Sequence, residues 1–265
     1  MRKIITLLTD FGLSDPYPAA MKAVILRINP EAVIVDITHS IDRFNVRMGA
    51  FILANLVEYF PEGSIHVGVV DPGVGTARRP LIVECDRGLL VGPDNGLLIP
   101  AARRLGLRRV YRILEDKVRI GWVSHTFHGR DLFAPAAARL SIGERAEHLG
   151  EPSLSYVELS FPKPRLKGER IHGEVLYVDG FGNVVTNIDE KLLETLSIGR
   201  GSRLLVEIGS KRFEVRLLEA YGEASPGTPL AIVDSFGMLE LAVNMGSGSR
   251  FFGLKPGDRF AVKVV

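Results

Sequence analysis

Along the first 160 positions, apolar residues fall into short runs separated by longer amphipathic stretches. Ile4 to Thr9 is a β-rich run that stops at Asp10-Phe11-Gly12. Tyr17 to Ile28 reads as a helix ended by Asn29-Pro30, and Ala32 to Ile37 as a second strand. Val46 to Tyr59 reads as a second helix, closed by Pro61 and Gly63. Ile65 to Val70 is a third strand that stops at Asp71-Pro72-Gly73. Leu81 to Glu84 and Leu89 to Val91 flank Asp86-Arg87-Gly88, which predicts an antiparallel hairpin. Leu132 to Leu140 is an alanine-rich helix. Strands alternating with helices predict an α/β domain: a mainly parallel sheet, made mixed by the hairpin and flanked by helices.

The pattern changes after Pro162 and Pro164, which sit among Lys and Arg like a linker. Beyond Gly168 the runs are short and β-like: Glu174 to Val178, Leu204 to Ile208, Phe213 to Leu218, Leu230 to Val233, Leu239 to Val243 and Arg259 to Val264. Gly209-Ser210, Pro226-Gly227 and Pro256-Gly257 punctuate them, and Lys191 to Leu196 is a short helix. Two domains follow, an α/β domain over 1–163 and a smaller all-β, barrel-like domain over 164–265.

Composition narrows the function. With 46% hydrophobic and 24% charged residues, the chain is globular. Its 33 Lys and Arg against 31 Asp and Glu leave a formal charge of +2, without the basic excess of a nucleic-acid binder. The densest basic sets, Arg103, Arg104, Arg108, Arg109 and Arg112, then Lys163, Arg165, Lys167 and Arg170, read as solvated helix and linker faces. No apolar run reaches membrane-spanning length, and Met1 to Leu8 is too short for a signal peptide, so a cytoplasmic protein is expected. The lone cysteine, Cys85, excludes a disulfide framework and a Cys-rich zinc site, and its apolar run makes it a buried thiol.

Ligands of open α/β sheets bind beyond the carboxyl ends of the strands. Asp10 and Asp71 stand there, where a carboxylate can accept both hydrogen bonds of a ribose diol or simply hold a turn. Asp36 lies inside its apolar run and is discounted as a ligand. The segment from Asp71 to Arg78 holds Gly73 and Gly75 but lacks the third glycine of a dinucleotide fingerprint and the Gly-Lys-Ser/Thr of a P-loop. In the cluster His125 to Asp131 two readings stay open. Either His125, His128 and Asp131 ligate a metal, or His128 faces a ligand while Asp131 caps the next helix. In the second domain, Phe181 can stack on a flat ring, Asp179 can pair with an ammonium and Asn183 can read a polar edge. Asn244 and the Gly/Ser loop after it offer hydrogen bonds to a heterocycle. Each of these segments also reads as an ordinary turn or surface loop.

In order and spacing, these segments resemble one family. They are Thr9-Asp10-Phe11-Gly12, Asp71-Pro72-Gly73-Val74-Gly75-Thr76, Gly92-Pro93-Asp94-Asn95-Gly96, Phe127-His128-Gly129-Arg130-Asp131, Phe181-Gly182-Asn183 and Val243-Asn244. The family is that of the S-adenosyl-L-methionine hydroxide adenosyltransferases, relatives of the fluorinases and chlorinases. The resemblance implies conversion of S-adenosyl-L-methionine and water to adenosine and L-methionine, with no metal or redox cofactor. It implies a homotrimer with each site shared between two chains. It also implies a water-handling set of Asp71, Arg78 and His128, and a ribose carboxylate at Asp10. Phe181, Asn183, Asn244 and the Met245 backbone match positions around the adenosine, and Asp179 and Ser235 those near the methionine amino-acid group. Asp71 and His128 replace a Tyr and a Ser of the fluorinases, which favours water over halide. Phe236 stands where the fluorinases have an Arg near the methionine carboxylate, so Ser235 or backbone N–H groups must meet that carboxylate. Three other readings remain open: a halide transferase, a metal-dependent hydrolase, and a sensor that binds without turnover.

Overall fold

The computed structural model describes residues 3–121 and 124–265; of the N-terminal segment, Met1 and Arg2 lie outside the described residues. The chain forms two compact units, one ending at Ser160 and the other beginning at Phe161.

The first unit runs β1 (Ile4–Thr9), α1 (Tyr17–Ile28), β2 (Val33–Thr38), α2 (Val46–Leu56), β3 (Ser64–Val69), β4 (Pro80–Cys85), β5 (Gly88–Pro93) and α3 (Ile99–Arg104). It continues with β6 (Leu107–Ile113), the single turn α4 (Glu115–Val118), a π-helical turn over Gly129–Phe133, α5 (Ala134–Ser141), the single turn α6 (Ala146–Leu149) and β7 (Gly150–Pro152). Its seven strands lie in the order β2-β1-β3-β5-β4-β6-β7. β1, β2, β3 and β5 are parallel; β4, β6 and β7 add antiparallel pairs, as the Asp86-Arg87-Gly88 turn predicts. β3 is buried along its whole length and β1 at all but its first position, as befits strands covered on both faces. The alanines of α5 keep that helix slim enough to bury Ala134 to Ala138 in a core with Met21 and Ile25 of α1 and Val67 of β3. Asn45 caps α2 by accepting from the Met48 N–H.

Two expectations are corrected. Arg108, Arg109 and Arg112 lie on β6, not on a helix or linker; all three are exposed, although Arg108 and Arg109, as neighbours on a strand, point to opposite faces of the sheet. Asp131 does not cap a helix. It sits inside the π-helical turn, where its Oδ2 accepts from Ser124 N–H at 2.8 Å and closes the loop before His128. Cys85 is buried, and burial beside Glu84 and Asp86 pushes its thiol up to about 12, so it stays protonated.

The second unit is a barrel. Its elements are β8 (Arg165–Lys167), β9 (Arg170–Val178), β10 (Val184–Asp189), α7 (Glu190–Thr195), β11 (Arg203–Ile208), β12 (Lys211–Leu218), β13 (Pro229–Val233), β14 (Met238–Val243), α8 (Gly248–Phe252) and β15 (Arg259–Val264). The order β10-β14-β13-β12-β11-β15-β9 returns on itself through the β9–β10 pairing and closes seven strands, with β8 outside on β9. Alternating residues such as Val184, Leu204, Val206, Leu239 and Leu241 fill the interior with Phe252 and Phe260.

Candidate active site

In the first unit, the ends of the parallel strands converge on a cavity of about 330 Å³ lined by Asp10, Phe11, Tyr17, Phe44, Asp71, Phe127 and His128, among others. Asp10 directly follows β1 and Asp71 follows β3 by two residues, the positions at which strand ends present ligand groups. The Asp10 turn is braced from beneath. Thr9 Oγ1 accepts from Phe11 N–H at 3.2 Å and bonds His39 Nδ1 at 2.8 Å. The His39 carbonyl accepts from Gly12 N–H at 2.7 Å. Asp36, discounted as a ligand, pairs with Lys22 at 2.5 Å and approaches His39 Nε2 at 3.1 Å. Phe11, Tyr17 and Phe127 form an edge-to-face trio with centroids 5.1–5.8 Å apart.

Asp71, Arg78 and His128 meet in space although 57 residues separate the first from the last. Arg78 clamps Asp71 with two donors: Nε to Oδ1 at 3.1 Å and Nη2 to Oδ2. The same Nη2 lies 2.9 Å from His128 Nδ1. A guanidinium only donates, so Nδ1 must accept and the imidazole proton resides on Nε2. Burial, then the adjacent Arg78 charge, holds His128 below the ordinary imidazole value, in keeping with a neutral ring. Both ionic side chains are at least nine-tenths buried, and Arg78 Nη1 has no hydrogen-bond partner. Gly75 permits this packing. Its φ is +76°, and a Cβ there would lie 2.6 Å from the His125 carbonyl oxygen, so the loop carrying Arg78 rests directly on the loop carrying His128.

His125 does not join this set. It is exposed, and among the described residues no three or more His, Cys, Asp or Glu side chains gather into a metal-binding group. The metal reading of His125, His128 and Asp131 therefore has no geometric support. Asp131 is instead held by Ser124 N–H and by Arg130 at 2.6 Å.

The sequence does not flag Phe44. It is exposed with φ +66°, a rare conformation outside glycine, and its N–H donates to Asp10 Oδ2 at 2.9 Å. The only local signal is its place before the Asn45 cap of α2.

In the second unit, two loops come together. Asp179 Oδ1 accepts from Phe181 N–H at 2.9 Å and Asn183 N–H at 2.8 Å, leaving Phe181 85% exposed. Gly182 has φ +89° and no room for a Cβ against Ser247, and its carbonyl accepts from Ser249 N–H at 2.8 Å. The Asn244 amide donates to the Ala224 carbonyl at 2.7 Å, and the next residue, Met245, turns outward with φ +52°. Asp234 accepts from Phe236 N–H and Met238 N–H, and its carbonyl from Gly237 N–H. These backbone donors are thus spent within the turn, and of the groups expected to meet a carboxylate there, the exposed Ser235 is left. Asn183 further joins the exposed Tyr221 and, through it, the buried Glu240, two residues that the sequence pattern does not mark.

Fold and site together define a class: an α/β unit with a buried Asp–Arg–His cluster at its strand ends, followed by a closed barrel with an exposed aromatic loop. Residues 5–150 match the SAM hydroxide adenosyltransferase N-terminal domain and residues 173–261 the corresponding C-terminal domain. The chain belongs to the SAM hydroxide adenosyltransferase family. It is 42% identical over 262 residues to the (R)-S-adenosyl-L-methionine hydrolase of Salinispora tropica, covering 97% of each chain. It is 41% identical over 257 residues to the hydrolase of the same name from Thermus thermophilus, covering 94% of this chain and 95% of that one. The fluorinase of Nocardia brasiliensis is more distant, 29% identical over 292 residues, with 99% and 97% covered. The crystal structure of an uncharacterized conserved protein from Thermotoga maritima superposes with a TM-score of 0.92 at 40% identity, covering 98% of this chain and 99% of that one. No helix among the described residues is long and apolar enough to cross a membrane.

Proposed function

We propose that the protein hydrolyses (R)-S-adenosyl-L-methionine to adenosine and L-methionine. The observation that carries this reading is the buried Asp71–Arg78–His128 cluster beside the cavity, with Arg78 Nη1 left without a partner. Water attacks C5′ opposite sulfur; the C5′–S bond breaks, and its electron pair neutralises the sulfonium as methionine thioether. The attacking water loses one proton, which this reading gives to Asp71. His128 is unsuited to take it, because Nδ1 is bonded to Arg78 and Nε2 already carries its hydrogen. Arg78 Nη1–H and His128 Nε2–H are instead two donors. Two donors and one attacking lone pair together use the three lone pairs of hydroxide, one more than neutral water has. Holding that oxygen in line supplies about 7–11 kcal/mol of the barrier, and the base about 10²–10⁴-fold in rate. The sulfonium is itself the leaving group, so no metal or redox cofactor enters.

Asp10 grips the ribose. Phe181, Asn183, Asn244 and the Met245 backbone hold the adenosine, and Asp179 and Ser235 the amino-acid end. The family resemblance supports a homotrimer in which the first unit of one chain and the second unit of the next supply these two sets.

In ¹⁸O-labelled water, adenosine is expected to carry one heavy oxygen at O5′ by mass spectrometry, with methionine released in equal amount. Release of S-adenosylhomocysteine, or adenosine without label, defeats the reading. Gly75→Ala is expected to lower kcat at least tenfold, because a side chain at positive φ against His125 must shift the Arg78 loop. The same strain costs about 1–3 kcal/mol of stability, visible in a thermal melt.

A further inference from the structure

We infer that Glu240, acting through Tyr221, is a positioning residue that holds the Asn183 amide in one orientation and so makes this unit read an amino group on the purine. The inference deepens the hydrolase reading and rests on its placing of Asn183 at the adenosine. Asn183 Nδ2 donates to Asp179 Oδ2 at 3.1 Å and to the Tyr221 hydroxyl at 3.3 Å, and that hydroxyl donates to Glu240 Oε1 at 2.7 Å. A carboxylate only accepts, so the chain of bonds takes its direction from its far end. Glu240 receives the Tyr221 proton, which leaves a Tyr221 lone pair for Asn183. Both amide hydrogens are then committed inside the protein, and Oδ1 is the end turned to a ligand. An acceptor there matches the exocyclic amino group of adenine and repels the carbonyl oxygen that hypoxanthine carries instead.

Glu240 is 3% exposed on β14, between β10 and β13. The titratable groups that face it are Tyr221, Asp179 from the β9–β10 loop, Asp234 from the turn after β13, and Tyr177 on β9; none is a cation. Burial, opposed by the Tyr221 hydrogen bond and reinforced by Asp179 and Asp234, pushes the Glu240 carboxyl up to about 7. A proton on Oε1 turns Glu240 into a donor. Tyr221 must then accept, its own hydrogen swings toward Asn183 Nδ2–H, and donor meets donor. The amide loses its second anchor, and purine affinity falls as pH drops through about 7.

The test is calorimetric titration with adenosine, which has no group titrating in this range, from pH 6 to 8.5, beside turnover of S-adenosyl-L-methionine. The wild-type Kd is expected to rise about five- to tenfold from pH 8 to pH 6, with KM following and kcat moving less than twofold. Glu240→Gln keeps an acceptor for Tyr221 but does not titrate, so its profile is flat and its loss of affinity smaller than that of Glu240→Leu. Tyr221→Phe weakens adenosine at every pH and narrows the preference for adenosine over inosine. A wild-type Kd that stays constant with pH, or a Glu240→Gln profile identical to wild type, overturns the inference. A Glu240 with a purely architectural role lowers the melting temperature of Glu240→Leu and leaves the wild-type pH profile flat. If adenosine binds with the expected profile but the substrate is not turned over, the hydrolase reading falls and the positioning role stands. Turnover with a pH-independent Kd gives the reverse, and absence of both binding and turnover removes both.

Discussion

Asp71→Asn is expected to lower kcat for adenosine formation about 10²–10⁴-fold while KM stays within about threefold. The substitution keeps the size of the side chain and removes the carboxylate proposed to take the proton. It also breaks the clamp, because an amide offers Arg78 one acceptor where the carboxylate offers two, at Oδ1 and Oδ2. Arg78 is buried, and leaving a buried charge without its partner typically costs about 3–5 kcal/mol, so the thermal midpoint is expected to fall as well. Steady-state kinetics by chromatography, run well below that midpoint, separates the two effects. A KM that rises as much as kcat falls assigns Asp71 to binding and moves the base elsewhere.

Asp10→Ala is expected to cut kcat/KM by about 10²–10⁴-fold, mostly through KM. Each hydrogen bond to a charged acceptor is worth about 1.5–3 kcal/mol, and a ribose diol makes two. A third bond is lost inside the protein, the one from Phe44 N–H to Asp10 Oδ2. Phe44 holds its φ of +66° against that carboxylate, so its loop is expected to relax toward ordinary backbone angles once the acceptor is gone. Isothermal titration with adenosine checks the binding loss directly. An unchanged Kd with a collapsed kcat places Asp10 in the chemical step instead.

The architecture is legible from the chain wherever burial is two-sided. Ile4 to Thr9 is apolar almost throughout because both faces of β1 are covered, and this kind of run identifies the parallel sheet. β6 is harder to see. Its pattern is no clean alternation: adjacent Arg108 and Arg109 are both exposed and adjacent Val110 and Tyr111 both buried, in a strand that lies between β4 and the short β7. β10 hides behind Asn183, since the loop residues run straight into the strand. Asp10, Asp71 and His128 are found by their places at strand ends and before a helix. Their relation is another matter. Only folding puts Arg78 between Asp71 and His128, and only the resulting hydrogen bonds settle the tautomer of the ring. Tyr221 and Glu240 are beyond reach for the same reason: a glutamate in an apolar strand gives no sign of which hydroxyl it will meet.

The Asp179–Asn183 loop is also the hairpin that joins β9 to β10, the pairing that shuts the barrel. If the loop holds the ligand as proposed, ligand binding and closure of the barrel are thermodynamically coupled. Any fluctuation that unzips Val178 from Val184 and Tyr177 from Val185 also disrupts the loop proposed to hold the purine. Occupancy must slow amide hydrogen exchange along that seam by a factor of about 1 + [L]/Kd, while strands that open without disturbing the loop exchange as before. The seam is closed in the protein alone, and on the proposed reading the ligand acts as a latch that tightens it.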